Sequence, residues 1–375
     1  MKRQLFSTLL AAFLLASSFT ALGTNALAQE SPLDEQAVLE EAEKFVSVMQ
    51  SHPALFGLSA AYRGELYLGQ PIPAYQTYDT GLEEISAVKY YPVLDSTNSP
   101  IVILLISQDA QGDIHITSDV SLVQGMTKQN HLMLNTGLTF IFDDSQGYVK
   151  AGHVVTPILQ IQSGAEEHRT PLTSSHLTAD TLEQAELKAA YRLHTATPFA
   201  PSSTRATGQY YIDLPCYKQL LKNSCWAACT RSVGEYYTPH NIWSEADIYD
   251  VCGIPYNDDN GGGLPDVSYA LSQLYGYGGN ILPFHGSMKF STVGEYISAG
   301  RPLVGSVDAS GSSDIGHAVA IRGYYQDTDF GIFTFMDPAT GTYRGTNVTS
   351  DKQYYYTSPD GVTSTIINVF IGVRP

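Results

Sequence analysis

Beyond residue 210 the apolar periodicity of this chain changes once, from helix-like to strand-like, and does not change back. Cys225–Tyr237, Ser244–Cys252, Pro265–Leu274 and Val293–Ala299 repeat apolar residues every three or four positions, the spacing of a helix with one buried face. Leu303–Val307, His317–Tyr325, Ile332–Met336, Tyr354–Thr357 and Thr365–Val373 instead alternate or run continuously apolar, as strands do. Helices and strands segregated in this way do not build alternating βαβ units. They predict an α+β domain over residues 206–375, a helical half followed by an antiparallel β half, with a site in the cleft between them.

A different regime precedes it. Val38, Ala42, Phe45 and Met49 recur at helical spacing within Asp34–Met49. Strand-like runs follow at Val88–Leu94, Ile101–Ser107, Ile114–Ser118, Leu138–Phe142 and Val154–Ile161, separated by polar breaks such as Asp95-Ser96-Thr97-Asn98. Residues 29–205 therefore read as an α+β module, and no catalytic constellation stands out in it. Thr195 to Gln209 reads TATPFAPSSTRATGQ, without apolar period, and predicts an exposed linker in which Arg205 suits a processing protease. At the start of the chain, Lys2 and Arg3, an apolar run over Leu5–Phe19 and Ala26-Leu27-Ala28 form the pattern of a signal peptide over residues 1–28, cleaved before Gln29. The expectation is a secreted, soluble protein with no membrane contact after signal cleavage. With 20 basic against 37 acidic side chains and a net charge of −17, nucleic acid is not an expected partner.

All four cysteines fall between Cys216 and Cys252, too local a cluster for a framework that staples distant loops; the sequence leaves any pairing among Cys216, Cys229 and Cys252 open. Asn223 and Ser224 are good N-cap residues, and Trp226, Cys229, Val233 and Tyr236 follow at spacings of three and four. Cys225 should then sit in the first turn of a buried helix, where free N–H groups and the helix dipole favour a thiolate. His317 opens one apolar strand and Asp337 closes the next. If those strands are antiparallel neighbours, the carboxylate reaches the imidazole and fixes its tautomer, which completes a nucleophile, base and orienting acid. His153, in a similar Gly-His-Val-Val stretch, has no such Asp after it and reads as structural. No Cys-x-x-Cys or His-x-x-x-His pair suggests zinc, and Asp258-Asp259-Asn260 does not continue into a calcium loop.

Lys222-Asn223-Ser224-Cys225-Trp226-Ala227 resembles the nucleophile segment of papain-like cysteine peptidases. Gln219 holds the position of the family's oxyanion-hole glutamine, six residues before the Cys (225 − 219 = 6). Ser244–Cys252 is similar to the family's second helix, and Gly261-Gly262-Gly263 to glycines that line its cleft. His317 follows Cys225 by 92 residues (317 − 225), closer than the roughly 130–150 of papain and the cathepsins. That spacing, with Asp in place of Asn, is similar to compact bacterial Cys-His-Asp enzymes such as the bacteriocin-leader peptidases and plant-pathogen effector proteases. The resemblance covers about residues 211–340. It implies a two-lobed papain-like domain and a secreted cysteine endopeptidase made as a zymogen, with residues 29–205 as an inhibitory prosegment. Cys225 would attack to form a thioester, His317 shuttle the proton, Asp337 orient His317, and Gln219 stabilise the oxyanion. Gly261, Gly262, Gly263 and Trp226 would contact substrate. No metal or organic cofactor is implied; the partners would be a peptide or protein substrate and the chain's own prosegment, and the enzyme would be a monomer. A transglutaminase or cell-wall peptide amidase could use the same site, and an inactive papain-like binding protein is the alternative outside enzymes.

Overall fold

Helix α1 (Glu35–Ser51) starts where the Asp34 carboxylate accepts from the backbone N–H groups of Gln36, at 3.1 Å, and Ala37, at 3.3 Å. That N-cap satisfies donors which a helix cannot satisfy itself. Its buried stripe is the one the spacing predicts, Val38, Ala42, Phe45 and Met49. This computed structural model describes residues 34–58, 64–78, 81–109, 111–128, 137–143, 146–151, 154–160, 208–282, 290–308, 316–328, 330–348, 355–361 and 363–374. The leader over 1–28, Arg205 with most of the linker, and His153 lie outside the described residues.

After α1 come β1 (Tyr67–Leu68), β2 (Ala74–Tyr78), β3 (Gly81–Glu84), β4 (Val88–Leu94), β5 (Pro100–Gln108) and β6 (Ile114–Asp119). Helix α2 (Ser121–Lys128) separates these from β7 (Leu138–Phe142), β8 (Gln146–Ala151) and β9 (Val154–Gln160). Beyond the linker lie β10 (Gly208–Tyr211), α3 (Cys225–Tyr237), α4 (Glu245–Val251), α5 (Leu264–Tyr275), β11 (Gly278–Leu282) and α6 (Phe290–Ser298). The chain ends in β12 (Leu303–Asp308), β13 (Gly316–Gln326), β14 (Gly331–Asp337), β15 (Thr342–Asn347), β16 (Tyr355–Thr357) and β17 (Thr363–Arg374). The fold is mixed α+β, and among the described residues no helix is long and apolar enough to cross a membrane.

Why β5 reads as a continuous apolar run is visible in its packing. Alternate side chains point to opposite faces of a strand. Val102, Leu104 and Ile106 enter a core with Phe45 and Met49 of α1, while Ile103 and Leu105 enter another with Leu122 and Met126 of α2 and Phe140 and Phe142 of β7. Both faces are covered, so neither register can be polar. The first of these cores also takes in Tyr325, Phe330 and Ile332 from the far side of the linker.

That shared core reflects one sheet. Among the described residues its order is β1-β4-β5-β6-β15-β14-β13-β12-β17-β11, with β10 on β13 and β16 on β17. Strands β3-β2-β7-β8-β9 form a second sheet, in which β2 and β7 run parallel. Helices α3, α5 and α6 bury Val233, Leu271 and Ile297 with Val304, Val319 and Phe335 of the large sheet. The linker therefore divides the sequence but not the sheet, and the junction is the β6–β15 pair. Asn347 behaves there as a piece of backbone: its Oδ1 accepts from Ile116 N–H at 2.7 Å and its Nδ2 donates to Ile114 C=O at 2.8 Å. Beside it a Cβ on Gly345 would lie 2.7 Å from the Phe56 ring, so only glycine lets the front segment close on β15. Strand β15 is absent from the sequence reading because Arg344, Thr346 and Asn347 are polar yet buried, and their partners come from elsewhere in the chain.

Replacing Asn347 with Ala strands a buried N–H and a buried C=O, and should lower unfolding free energy by about 2–3 kcal/mol. Denaturant titration of the full chain measures it; a loss within error would show that water replaces both bonds.

Candidate functional site

Helix α3 begins at Cys225 itself. Its N-cap, Ser224, makes no side-chain cap. The Ser224 hydroxyl turns back instead, donating to Leu221 C=O at 3.1 Å and accepting from Leu221 N–H at 3.0 Å. This differs from the capping role its position suggests. The backbone N–H groups of the first turn have no partner within the helix and stay uncapped by Ser224, an environment that favours negative charge.

The loop ahead of Cys225 is held at four points. Gln219 N–H donates to Pro338 C=O at 2.9 Å, joining it to the end of β14. Leu220 N–H donates to both carboxylate oxygens of buried Glu245 at 3.2 Å. Lys222 N–H and Asn223 Nδ2 reach Asp258, at 2.9 and 2.8 Å. Burial raises the Glu245 pKa above its usual value, opposed by the neighbouring Ser224 hydroxyl and by the Leu220 N–H. The Gln219 side chain is buried and donates to the carbonyls of Leu221 and Lys222, at 3.0 and 2.7 Å. Both amide hydrogens are thereby engaged, so Gln219 reaches an oxyanion only by releasing one of those carbonyls.

Strands β13 and β14 are antiparallel neighbours, with Ala320 opposite Met336. That register carries His317 and Asp337 to the same end of the sheet. His317 Nε2 lies 2.7 Å from Asp337 Oδ1, which leaves Nδ1 as the ring nitrogen on the side of the Cys225 thiol, near enough for Cys225 to act on the imidazole. Asp337 is fully buried and saturated. Its Oδ1 also accepts from Ala339 N–H at 2.9 Å, and its Oδ2 accepts from Arg344 Nη1 at 3.1 Å and Tyr356 OH at 3.0 Å. Burial works against a charged imidazole, but the Asp337 charge and hydrogen bond, and then Cys225, push His317 up to about 10. Burial likewise opposes the Asp337 charge, yet His317 and then Arg344 hold its pKa well below the usual carboxylate range.

Three of the four cysteines are removed from thiolate chemistry. All four are free thiols. Burial pushes Cys216 to about 12, Cys252 to about 11 and fully buried Cys229 well above its usual range. Cys225 alone adjoins the imidazole of His317, at a helix start.

The structure thus brings Cys225, His317 and Asp337 together and keeps Gln219 beside them on the nucleophile loop. Trp226 is a correction. It is 1 % exposed, its ring 4.9 Å from that of Tyr249, and so it is core and not a substrate contact. At i+1 it faces away from the site, into the interior that the helical spacing of α3 had implied. Gly262 has a packing reason of its own, since a Cβ there would meet the Trp226 indole at 2.6 Å. Gly261 and Gly263 are exposed nearby. Two residues of the site were not found from sequence, Arg344 and Tyr356. An arginine opposite Phe335 in an antiparallel ladder would have signalled an inward cation, but only with β15 recognised as a strand. Among the described residues no group of three His, Cys, Asp or Glu side chains is placed to hold a metal ion.

Residues 211–361 match the family model described as Peptidase_C39 like family. The match supports a papain-like cysteine peptidase. It runs past the expected end at residue 340 and takes in both Arg344 and Tyr356. A comparison with curated proteins found no match.

Folding raises the His317 pKa from 6.5 to about 10, so the pair's stabilisation through His317 is fully present below pH 6.5 and is lost as pH rises through about 10. Through Asp337, whose pKa is lowered, it is present above the ordinary 3.8 and is lost as pH falls through the depressed value. An NMR titration should find the His317 ring protonated through neutrality, and Asp337→Asn should lower its midpoint by about one to three units. A midpoint unchanged in the folded variant would dissolve the pair.

Proposed function

We propose that this chain is a secreted cysteine endopeptidase, made as a precursor, that hydrolyses peptide bonds through a thioester acyl-enzyme. The observation that carries the reading is the His317–Asp337 pair, with the carboxylate 2.7 Å from the ring and the Cys225 sulfur next to that imidazole at the first residue of a helix. A thiolate there is stabilised by the imidazolium beside it and by the helix N-terminus. It attacks the scissile carbonyl carbon, forming the C–S bond. The backbone N–H of Cys225 is the first donor to the oxyanion, and Gln219 becomes the second once it turns from the loop carbonyls. His317 then gives its proton to the leaving amine, and water, deprotonated by the same ring, cleaves the thioester. Asp337 keeps the ring oriented and its charged form favoured in each step.

Export follows from the leader pattern over residues 1–28, and maturation from the linker over 195–209, which offers Arg205 as a cut site. In this reading the uncut chain is the zymogen.

Cys225→Ala should reduce kcat/KM on a peptide substrate by a factor on the order of 10⁴ while folding is retained. An epoxide thiol trap should label Cys225 and leave Cys216, Cys229 and Cys252 unmodified by peptide mapping. Retained turnover in a folded Cys225→Ala chain would end the proposal. The zymogen part is tested separately, by comparing the intact chain with one cut within residues 195–209. Faster turnover after the cut is expected, and equal rates would remove latency from the reading.

A further inference from the structure

Arg344 is fully buried, and its guanidinium faces two ways. Toward the site, Nη1 donates to Asp337 Oδ2 at 3.1 Å. Toward the front segment, Nε donates to Ser118 C=O at 3.2 Å and Nη2 forms an ion pair with Asp119 Oδ2 at 3.3 Å. Nη2 also donates to Thr357 C=O at 2.6 Å. Asp119 is itself fully buried and its direction is fixed locally. Its Oδ1 accepts from Ser121 Oγ at 2.6 Å and Leu122 N–H at 2.9 Å, at the start of α2. His317, Asp337, Arg344 and Asp119 therefore form an unbroken line of alternating charge, three of the four fully out of water, with its last member supplied by a segment 106 residues before Cys225 (225 − 119).

We propose that Asp119 is a positioning residue for this site, acting through Arg344 on Asp337, and that the front segment remains part of the working enzyme after any cut in the linker. The inference rests on the peptidase reading of Cys225, His317 and Asp337. Its physics is a competition for one carboxylate. With Asp119 in place, Arg344 divides its charge between two acids. Without it the whole guanidinium charge falls on Asp337, which then stabilises the imidazolium less, and the His317 pKa drops. The segment is also held by more than this ion pair. Arg322, likewise buried, donates to Leu55 C=O at 3.1 Å, Asn347 locks β6, and Phe45 packs edge-on to Phe330 at 6.5 Å. A cut within 195–209 should thus leave two chains in one body.

Other titratable groups around the line are Cys225 and Cys229 from α3, Cys216 from the loop before it, Tyr356 from β16 and Tyr90 from β4. Burial drives Cys216 to about 12 and holds Cys229, Tyr356 and Tyr90 well above their usual values, so these four do not mimic a titration below 10.

The test compares full-length wild type, Asp119→Asn and, as a purely structural lesion of the same junction, Asn347→Ala. The His317 titration is followed by NMR on the intact chains, and the alkaline limb of kcat/KM on a peptide after each is cut within residues 195–209. Asp119→Asn should lower both midpoints by about one unit, with the loss in kcat and little change in KM. Asn347→Ala should lose stability and keep both midpoints. An unmoved midpoint in folded Asp119→Asn, or an equal fall in Asn347→Ala, overturns the proposal. A wild-type chain that hydrolyses no peptide even after the linker is cut defeats the peptidase reading alone, because the NMR titration still reports on Asp119. Should Asp119→Asn not fold, the decision passes to a chain with a specific protease site inserted in 195–209. After cleavage its fragments should co-elute with the His317 midpoint unchanged. Fragments that separate, with 206–375 keeping that midpoint alone, overturn it as well.

Discussion

A guanidinium taken out of water loses hydration worth several kilocalories per mole, and only a complete set of acceptors compensates. Arg344 is set against four acceptors, the carboxylates of Asp337 and Asp119 and the carbonyl oxygens of Ser118 and Thr357. Burial opposes its charge, yet Asp119 first, then Tyr356 and Asp337, hold its pKa above the usual arginine value. None of these groups is tolerable in the interior without the others. Removing one partner from such a buried set commonly costs about 3–5 kcal/mol, because an uncompensated charge is left behind. The sheet must therefore close with β6 beside β15, and the front segment must be present, before Asp337 has its full environment.

The other half of the site is fixed by hydrogen bonds to the backbone of the nucleophile loop. The loop before α3 touches β14 through Gln219 N–H and Pro338 C=O, α4 through Leu220 and Glu245, and the 257–260 turn through Lys222 and Asn223. Tyr249 closes this arrangement by donating to the Asn223 and Asn260 carbonyls, at 3.2 and 3.0 Å. The sulfur is thus placed by a rigid loop and a helix start, and the imidazole by a strand and a saturated carboxylate. Ion pairing sets the charge of the site; backbone hydrogen bonds set its distances.

Aromatic packing separates the two tasks. Trp226 and Tyr249 fill the interior behind the nucleophile loop, and Tyr356 lies against His317 with ring centroids 5.4 Å apart while its hydroxyl serves Asp337. Tyr356 accordingly belongs to the charge-setting side, and Trp226 to the distance-setting side.

What the sequence determined by itself was whatever depends on near neighbours. The 3.6-residue period located α3 with its first residue at Cys225, and apolar alternation located β13 and β14, whose ends carry His317 and Asp337. A short connection makes those strands antiparallel neighbours, so their pairing was legible too. Trp226 was misassigned because the family motif places it beside the nucleophile in sequence, whereas helical geometry turns it inward. Arg344 and Asp119 were invisible for a deeper reason. A lone Arg or Asp in a strand reads as surface, since burial of a charge is unfavourable until its partner is present. Here the partner lies 225 residues away (344 − 119), across a linker that looked like a domain boundary. Only tertiary structure, by running one sheet through both segments, decided that these charges are interior and that the acid of the site is held from the front of the chain.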